Sequence, residues 1–463
     1  MINRFSRWID DRLAAASFTR SALNKVFPDH WSFMWGEIAL YSFVVLIVTG
    51  VFLTFFFDPS VAETTYEGKY EPLRGVHMSE AYRSTVELSF DIRAGLVMRQ
   101  AHHWAAILFL AAIVVHLLRV FFTGGFRRPR EVNWMVGVTL FALAFFNGFT
   151  GYSLPDDLLS ATGLRIAYSI ALSVPIVGTW LAFLMFGGEF PAHDIIPRLF
   201  VTHILIIPAL LAGLLTVHLA IIWRQKHTDF RGPGRRETNV VGSRLWPTYM
   251  VKSVGLFFAV FAVTIAMGGL VQINPVWLYG PFRPAQVPSP AQPDWWLGWT
   301  EGALRIIPPW EIRAFGYEIP NPFFPGVLLP GITFLLLYLW PFLEARVTGD
   351  REPHHILDRP RDRPVRTGLG TMTLTFYVLL QLAASNDLVA NQLRVSVGTI
   401  TWIFRIAVLV LPPVVGYITY RLMKGLKVSG AERFATVPLQ AVLHPGGDGA
   451  VSEEKSEREE QAH

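Results

Sequence analysis

Eight runs of about twenty apolar residues punctuate this chain, the length a helix needs to cross the hydrocarbon core of a bilayer. They lie at 34–57, 97–122, 133–153, 199–223, 249–272, 323–344, 369–386 and 399–422. Backbone amides inside lipid must be satisfied within the chain, so each run is read as a helix. Of 463 residues, 52% are hydrophobic and 16% charged, a balance at which a soluble domain aggregates. The expected fold class is an all-α integral membrane protein with eight transmembrane helices.

A ninth run, 163–186, also has the length of a span. Loop charge argues against it. With eight spans and a cytoplasmic N-terminus, three basic loops fall inside. They carry Arg127, Arg128 and Arg130; then Arg224, Lys226, Arg231, Arg235, Arg236 and Arg244; then Arg346, Arg351, Arg359, Arg361, Arg363 and Arg366. Asp156, Asp157, Glu189, Asp194, Asp294 and Glu301 fall outside. This is the positive-inside pattern, and a span at 163–186 would invert the second and third basic loops. The run is therefore expected as a helical hairpin on the outer surface, broken near Pro175 and Gly178. The net charge of +5 sits in loops between apolar runs, so lipid rather than nucleic acid is the expected partner.

Four regions follow. Residues 1–30 hold a surface amphipathic helix, read over Met1–Phe18, and 31–230 hold the first four spans. Residues 231–425 hold the last four spans, and 426–463 form a polar, disordered tail. Both termini are expected in the cytoplasm. The chain has no cysteine, which excludes disulfides, iron–sulfur ligation by this chain and c-type haem attachment.

The second span holds His102 and His116, and the fourth holds His203 and His218. A histidine inside a membrane helix is expensive and usually functional. Fourteen residues, as between His102 and His116, make about 21 Å of rise and just under four turns. The two therefore share a face at opposite depths. Between His203 and His218 the interval is fifteen, which advances the face by about 60°; a distortion at Pro208 could absorb the extra residue. The spans run in the same direction, so His102 pairs with His203 near the outer side and His116 with His218 near the inner side. Such pairs fill both axial positions of a haem iron and suit electron transfer. His103 points to another face and is read as a neighbour. Gly36 and Gly50, and Gly137 and Gly151, repeat the interval of fourteen. They are read as backbone that a flat macrocycle edge can approach, with small-residue helix packing as the other account. Arg99, Arg119 and Arg198 stand at the two depths, either pairing with propionates or anchoring the interface.

Here the chain resembles the cytochrome b family of bc-type complexes. The resemblance rests on RQAH (Arg99–His102), HLLR (His116–Arg119), RLFVTH (Arg198–His203) and GYSLP (Gly151–Pro155), and covers nearly the whole chain. The fifteen-residue interval is similar to the b6 branch and many bacterial members, and the fused eight-span layout to the bc1 branch. HHILDRPRDRPVRT (His354–Thr367) and PDWW (Pro293–Trp296) look actinobacterial. The resemblance implies a haem-binding four-helix bundle followed by a C-terminal four-helix domain with a quinol-site loop. It implies two haem b groups (outer low-potential, inner high-potential), with quinol, expected as menaquinol, oxidised outside and quinone reduced inside. The implied partners are a Rieske iron–sulfur subunit, a c-type cytochrome subunit with two haems, an aa3-type cytochrome c oxidase in a supercomplex, and a second copy of the chain. The implied location is the bacterial cell membrane.

PDWW looks like the family's PEWY motif, which makes Asp294 the proton acceptor for quinol. Pro293, Trp295 and Trp296 complete the motif; Trp296 replaces the usual tyrosine and lacks its hydroxyl. Thr300 and Glu301 follow at helical spacing and are expected to line the same pocket, with Tyr152 and Leu154 approaching from the third span. Without the histidines this segment reads as an interfacial aromatic anchor. At the inner site the family's usual histidine and acid look replaced by Trp223 and Ser253. Glu37, Lys252 and His30 are expected to relay protons there, unless Glu37 is a solvated membrane-edge carboxylate. Two other readings of the histidines stand: a di-haem membrane anchor of a quinone-linked dehydrogenase or hydrogenase, and a proton-relaying transporter. Arg405, inside the eighth span, has no role in this scheme.

Overall fold

The computed structural model describes residues 8–12, 15–286, 292–314, 316–435 and 451–452. The chain is mainly helical. Among the described residues, seven helices cross a bilayer's thickness by length and composition, and a bent pair makes an eighth. In chain order the helices are α1 Ala15–Asn24, α2 Met34–Thr54, α3 Glu80–Phe90, α4 Gly95–Thr123, α5 Glu131–Tyr152, α6 Leu158–Leu172 and α7 Gly178–Phe186. There follow α8 Ile195–Gln225, α9 Leu245–Leu270, α10 Gly298–Ile306 and α11 Phe324–Thr348. The last are α12 Pro364–Ala383, α13 Asn386–Leu393 and α14 Val397–Ala435, with α12 and α13 bent by 65° as one broken span.

The hairpin at 163–186 is two short helices, α6 and α7. Asp157 caps α6, accepting from the amides of Leu159 (2.9 Å) and Ser160 (3.2 Å). The chain then breaks across Pro175 and Ile176, the latter at φ +69°. Neither helix alone reaches the roughly 20 residues of a span. The three basic loops share one end of the molecule and bind one another. Arg130 donates to Gln225 O (3.2 Å) and His354 O (2.6 Å), and Arg127 pairs with Asp358 (3.3 Å). A span at 163–186 would have separated the first two loops by the thickness of the membrane.

The first four spans pack as a unit, α2 on α4 and α5 on α8, with α4 against α5. The last four are arranged around them: α9 lies along α4 and α2, α11 along α5, and α12 pairs with α14 and α10. Short antiparallel strands tie the surface. Val26–Phe27 pairs with Val241–Arg244, and Glu63–Thr65 with His77–Ser79.

The two chain ends depart from expectation. Within the expected Met1–Phe18, residues 8–12 and 15–18 are helical, and the helix Ala15–Asn24 runs on past Phe18; residues 1–7 and 13–14 of that expectation lie outside the described residues. At the other end α14 continues to Ala435, past the boundary expected at 425. Residues 423–435 include no proline to stop the helix. Val451–Ser452 pairs with Val241 and Gly242. The rest of the polar tail lies outside the described residues.

Candidate functional site

The helix geometry brings the four histidines together in two pairs. The His102 and His203 rings have centroids 6.1 Å apart at 72°, and those of His116 and His218 are 6.5 Å apart at 76°. A ligating nitrogen lies about 2 Å from its metal, so two imidazoles on one metal have centroids roughly 6 Å apart. The extra residue between His203 and His218 is taken up by a wide π-helical turn at Thr202–Ile206. His102 Nδ1 lies 2.9 Å from Thr49 Oγ1, and His203 Nδ1 lies 3.0 Å from Asn147 O. Bonds of this kind orient a ligating ring.

Each of the four glycines faces one imidazole. A Cβ on Gly36 would lie 3.2 Å from His116 Cε1, and one on Gly50 would lie 3.2 Å from His102 Cε1. On Gly137 it would lie 3.6 Å from His218 Cε1, and on Gly151 only 2.3 Å from His203 Cε1. The glycines of α2 thus admit the rings of α4, and those of α5 admit the rings of α8. It is the histidine rings that approach them.

Each pair borders a cavity. One, of about 440 Å³, is lined by His102, His203, Gly50, Gly151 and Arg99. The other, of about 250 Å³, is lined by His116, His218, Gly36, Gly137 and Arg119. The remaining walls are mostly apolar. Arg119 leaves Nε and Nη2 buried without a partner, its guanidinium 4.0 Å above the Phe33 ring. Arg99 leaves Nε buried without a partner while donating to Asn274 O at 3.4 Å. Buried cationic donors of this kind call for an anion. Two apolar slots, each crossed by paired imidazoles and carrying a cation, fit two flat anionic macrocycles such as haem. Arg198 belongs to neither slot. It pairs with Asp194 (3.6 Å) and donates to Phe183 O (3.1 Å) and Leu184 O (2.9 Å), closing the C-terminus of α7.

The larger cavity also contains Asp294, Trp296, Tyr152 and Leu154. Asp294 accepts from His103 Nε2 at 2.7 Å, both side chains being nearly buried. His103, set aside in the sequence as a neighbour, therefore reaches the PDWW turn; the side-by-side histidines were the available signal. Trp296 is buried against Gly148, where a Cβ would lie 3.0 Å from its Cζ2. Tyr152 Oη is buried without a partner. Pro293 and Trp295 flank this turn but form no part of the wall, and Trp295 is 39% exposed.

Thr300 and Glu301 do not line the cavity. Thr300 Oγ1 donates to Leu297 O (2.6 Å), and Glu301 is taken by Arg305 (2.7 Å), which also holds Asp387 (2.9 Å). One helical turn is enough to give each a local partner facing α12 and α13. Arg405 also acquires a role: it donates to Ile306 O (2.6 Å) and Ile307 O (3.1 Å), capping the end of α10.

Just beyond the end of α5, the α5–α6 turn holds two acids, Asp156 and Asp157. Asp156 accepts from Ser79 Oγ at 2.6 Å, and burial pushes its pKa up to about 7.

At the smaller cavity Glu37 is half-buried and is not paired with Lys252. Its carboxylate accepts from Tyr249, Ser253 and Tyr41. Lys252 instead pairs with Asp29 at 2.8 Å, one residue off the face that carries Ser253 and Tyr249. His30 bonds Ser32 (2.8 Å) and packs on Phe230 (4.3 Å between centroids), outside the cavity wall. Trp223 stacks beneath Lys25. Lining residues not foreseen for this site include Tyr249, Arg130 and His227. His227 lies nine residues after His218, beyond the apolar run, so span counting passed over it. Burial, with Lys25, Arg130, Arg119 and His355 nearby, lowers its pKa to about 3.

Comparison with known proteins gives the same outline. The family described as Cytochrome b(N-terminal)/b6/petB matches residues 107–281. The cytochrome b subunit of the cytochrome bc1 complex of Mycobacterium tuberculosis is 54% identical over 422 residues, covering 91% of this chain and 77% of the relative. Its counterpart in Streptomyces coelicolor is 50% identical over 424 residues, covering 92% and 78%. That of Corynebacterium diphtheriae is 51% identical over 424 residues, with the same coverage. A chain of a hyperthermophilic respiratory complex III shares the fold, with a TM-score of 0.66 at 21% identity, covering 89% of this chain and 99% of that one. With two histidine-paired slots in its first four spans and relatives at this identity along nearly its whole length, the chain belongs to the cytochrome b subunits of cytochrome bc1 complexes.

Proposed function

We propose that this chain is the quinol-oxidising, electron-carrying subunit of a respiratory quinol:cytochrome c oxidoreductase, with its Asp294 end facing outside and both termini in the cytoplasm. His102 and His203 would hold one haem b, and His116 and His218 the other, so that together they supply a one-electron path between the two membrane sides. Arg99 and Arg119 would meet the propionates. Quinol, most simply menaquinol as in the actinobacteria that the sequence resembles, enters beside Asp294. Asp294 Oδ2 is held by His103, which leaves Oδ1 to accept a hydroxyl proton. Tyr152 Oη, lacking a protein partner, orients the ring by hydrogen bonding to the quinol.

Oxidation of quinol to quinone releases two electrons and two protons. One electron leaves to a Rieske iron–sulfur subunit and onward to a c-type cytochrome subunit carrying two haems. The other crosses the membrane. Two oxidations thus supply the two electrons that reduce one quinone at the Glu37 end. There Glu37, with Tyr41, Tyr249 and Ser253 around it, delivers the two protons from its own side. Protons leave on one side and enter on the other, building the gradient. In this reading the complex is a twofold dimer whose c-type cytochrome passes electrons on to an aa3-type oxidase in a supercomplex.

One observation carries this reading: Asp294 and the His102–His203 pair open into a single cavity. Proton acceptor and electron acceptor therefore meet the same substrate. Asp294→Asn should lower quinol:cytochrome c turnover at least tenfold while both b-type absorbances remain; retention of more than half the turnover would sink the assignment.

A further inference from the structure

The two histidine pairs have closely similar ring separations and angles although their sequence intervals differ. At 100° per residue, fourteen residues end about 40° short of four turns and fifteen end about 60° beyond. A regular α8 would therefore turn one of its imidazoles about 100° away from the face that α4 presents. Instead the ring separations are 6.1 and 6.5 Å and the ring angles 72° and 76°.

We infer that Pro208, with the wide turn Thr202–Ile206 ahead of it, is the positioning residue for His203. It makes an interval of fifteen place both imidazoles as fourteen would. This rests on the reading of the histidines as iron ligands. Within the turn the Ile207 amide reaches back five residues to Thr202 O, where a regular helix reaches four. From Ile207 to Gln225 the helix is uninterrupted, so the extra residue is absorbed here. Pro208 holds the turn open. It has no N–H to offer Ile204 O, and its ring occupies the space that carbonyl would need in a regular helix. The surplus is accommodated on the outward side: Leu205, within the turn, is 62% exposed and lines neither cavity.

The test uses the purified complex, with the His116–His218 haem as internal control. Pro208→Ala supplies the missing amide, lets the turn tighten and rotates His203. Low-temperature electron paramagnetic resonance should show the His102–His203 signal shifted or lost, with the other haem unchanged. Deleting Leu205 in the Pro208→Ala background leaves fourteen residues in a regular helix and should restore the signal. Deleting Gly213 in the parent background, which keeps Pro208 and the wide turn but shortens the interval to fourteen, should cost one of the two haems. An unchanged His102–His203 signal in Pro208→Ala overturns the inference. So does a failure of the Leu205 deletion to restore the signal in the Pro208→Ala background, or retention of both haems after deletion of Gly213. A parent complex with fewer than two b-type haems overturns the ligand reading instead.

Discussion

The cavity at His102 and His203 is about 440 Å³, and the one at His116 and His218 about 250 Å³. Each has paired imidazoles, a glycine facing each of them, and an arginine with at least one unpartnered donor. They part company at the rim. The larger takes in a loop from between the fifth and sixth spans, which brings Asp294 and Trp296 into the same space as the histidines. The smaller is bounded by a hydroxyl-ringed carboxylate on the second helix, at Glu37. One plan for holding a flat group is thus joined to two different ways of handling protons. Substitutions in the shared plan should change what is bound. Substitutions at the rims should leave binding intact and change turnover.

The largest effect is expected for His203→Ala. Redox titration of the b-type absorbance should fall from two steps to one, with the His116–His218 step preserved. Loss of both steps would break the independence of the two slots. The glycines grade the comparison next. Gly151→Ala puts a methyl group 2.3 Å from His203 Cε1, whereas Gly137→Ala leaves 3.6 Å to His218, ordinary contact. Haem content should drop by about half in the first, one slot of two being emptied, and stay near the parent value in the second. Equal losses would mean that slot tightness does not follow from backbone approach.

At the rim, Glu37→Gln should slow inner-haem reduction through the Glu37-end quinone site about tenfold, while electron entry at the Asp294 end is unaffected. Unchanged reduction and inhibitor sensitivity would remove Glu37 from the proton path.

The smallest expected effect concerns pH. Burial raises Asp156 from 3.8 to about 7 in the folded chain. Between those values the unfolded chain has lost the proton and the folded chain keeps it, so this group's stabilisation falls as pH rises and is gone above about 7. His227 runs the other way. Its pKa falls from 6.5 to about 3, so its contribution is present above 6.5 and is lost as pH drops toward 3. Asp156→Asn should therefore flatten the thermal stability profile between pH 4 and 7 and raise the melting temperature at pH 8 by a few degrees. An unaltered profile would show that Asp156 ionises without consequence.

Much of this was legible in the chain alone. Span number, the surface hairpin and the pairing of four histidines by depth follow from apolar length, loop charge and helical period. All three are properties of one helix in one solvent. The inner rim was not legible in the same way. Lys252 and Ser253 are sequence neighbours, yet only Ser253 meets Glu37, because adjacent helical residues diverge by about 100°. Thr300 and Glu301 had suitable spacing from PDWW but found partners within their own turn and on α12 and α13. Arg198 had the right depth, and the end of α7 took it first.

By itself, then, the sequence determined that this chain spans a bilayer and carries two tiers of paired imidazoles, since lipid forces helices and helices have a fixed pitch. Only the tertiary structure decided which polar groups share a cavity. It brought His103 to Asp294 across 191 positions and Tyr249 to Glu37 across 212. Such pairings depend on the rotation and packing of whole helices, and no local pattern in the chain records those.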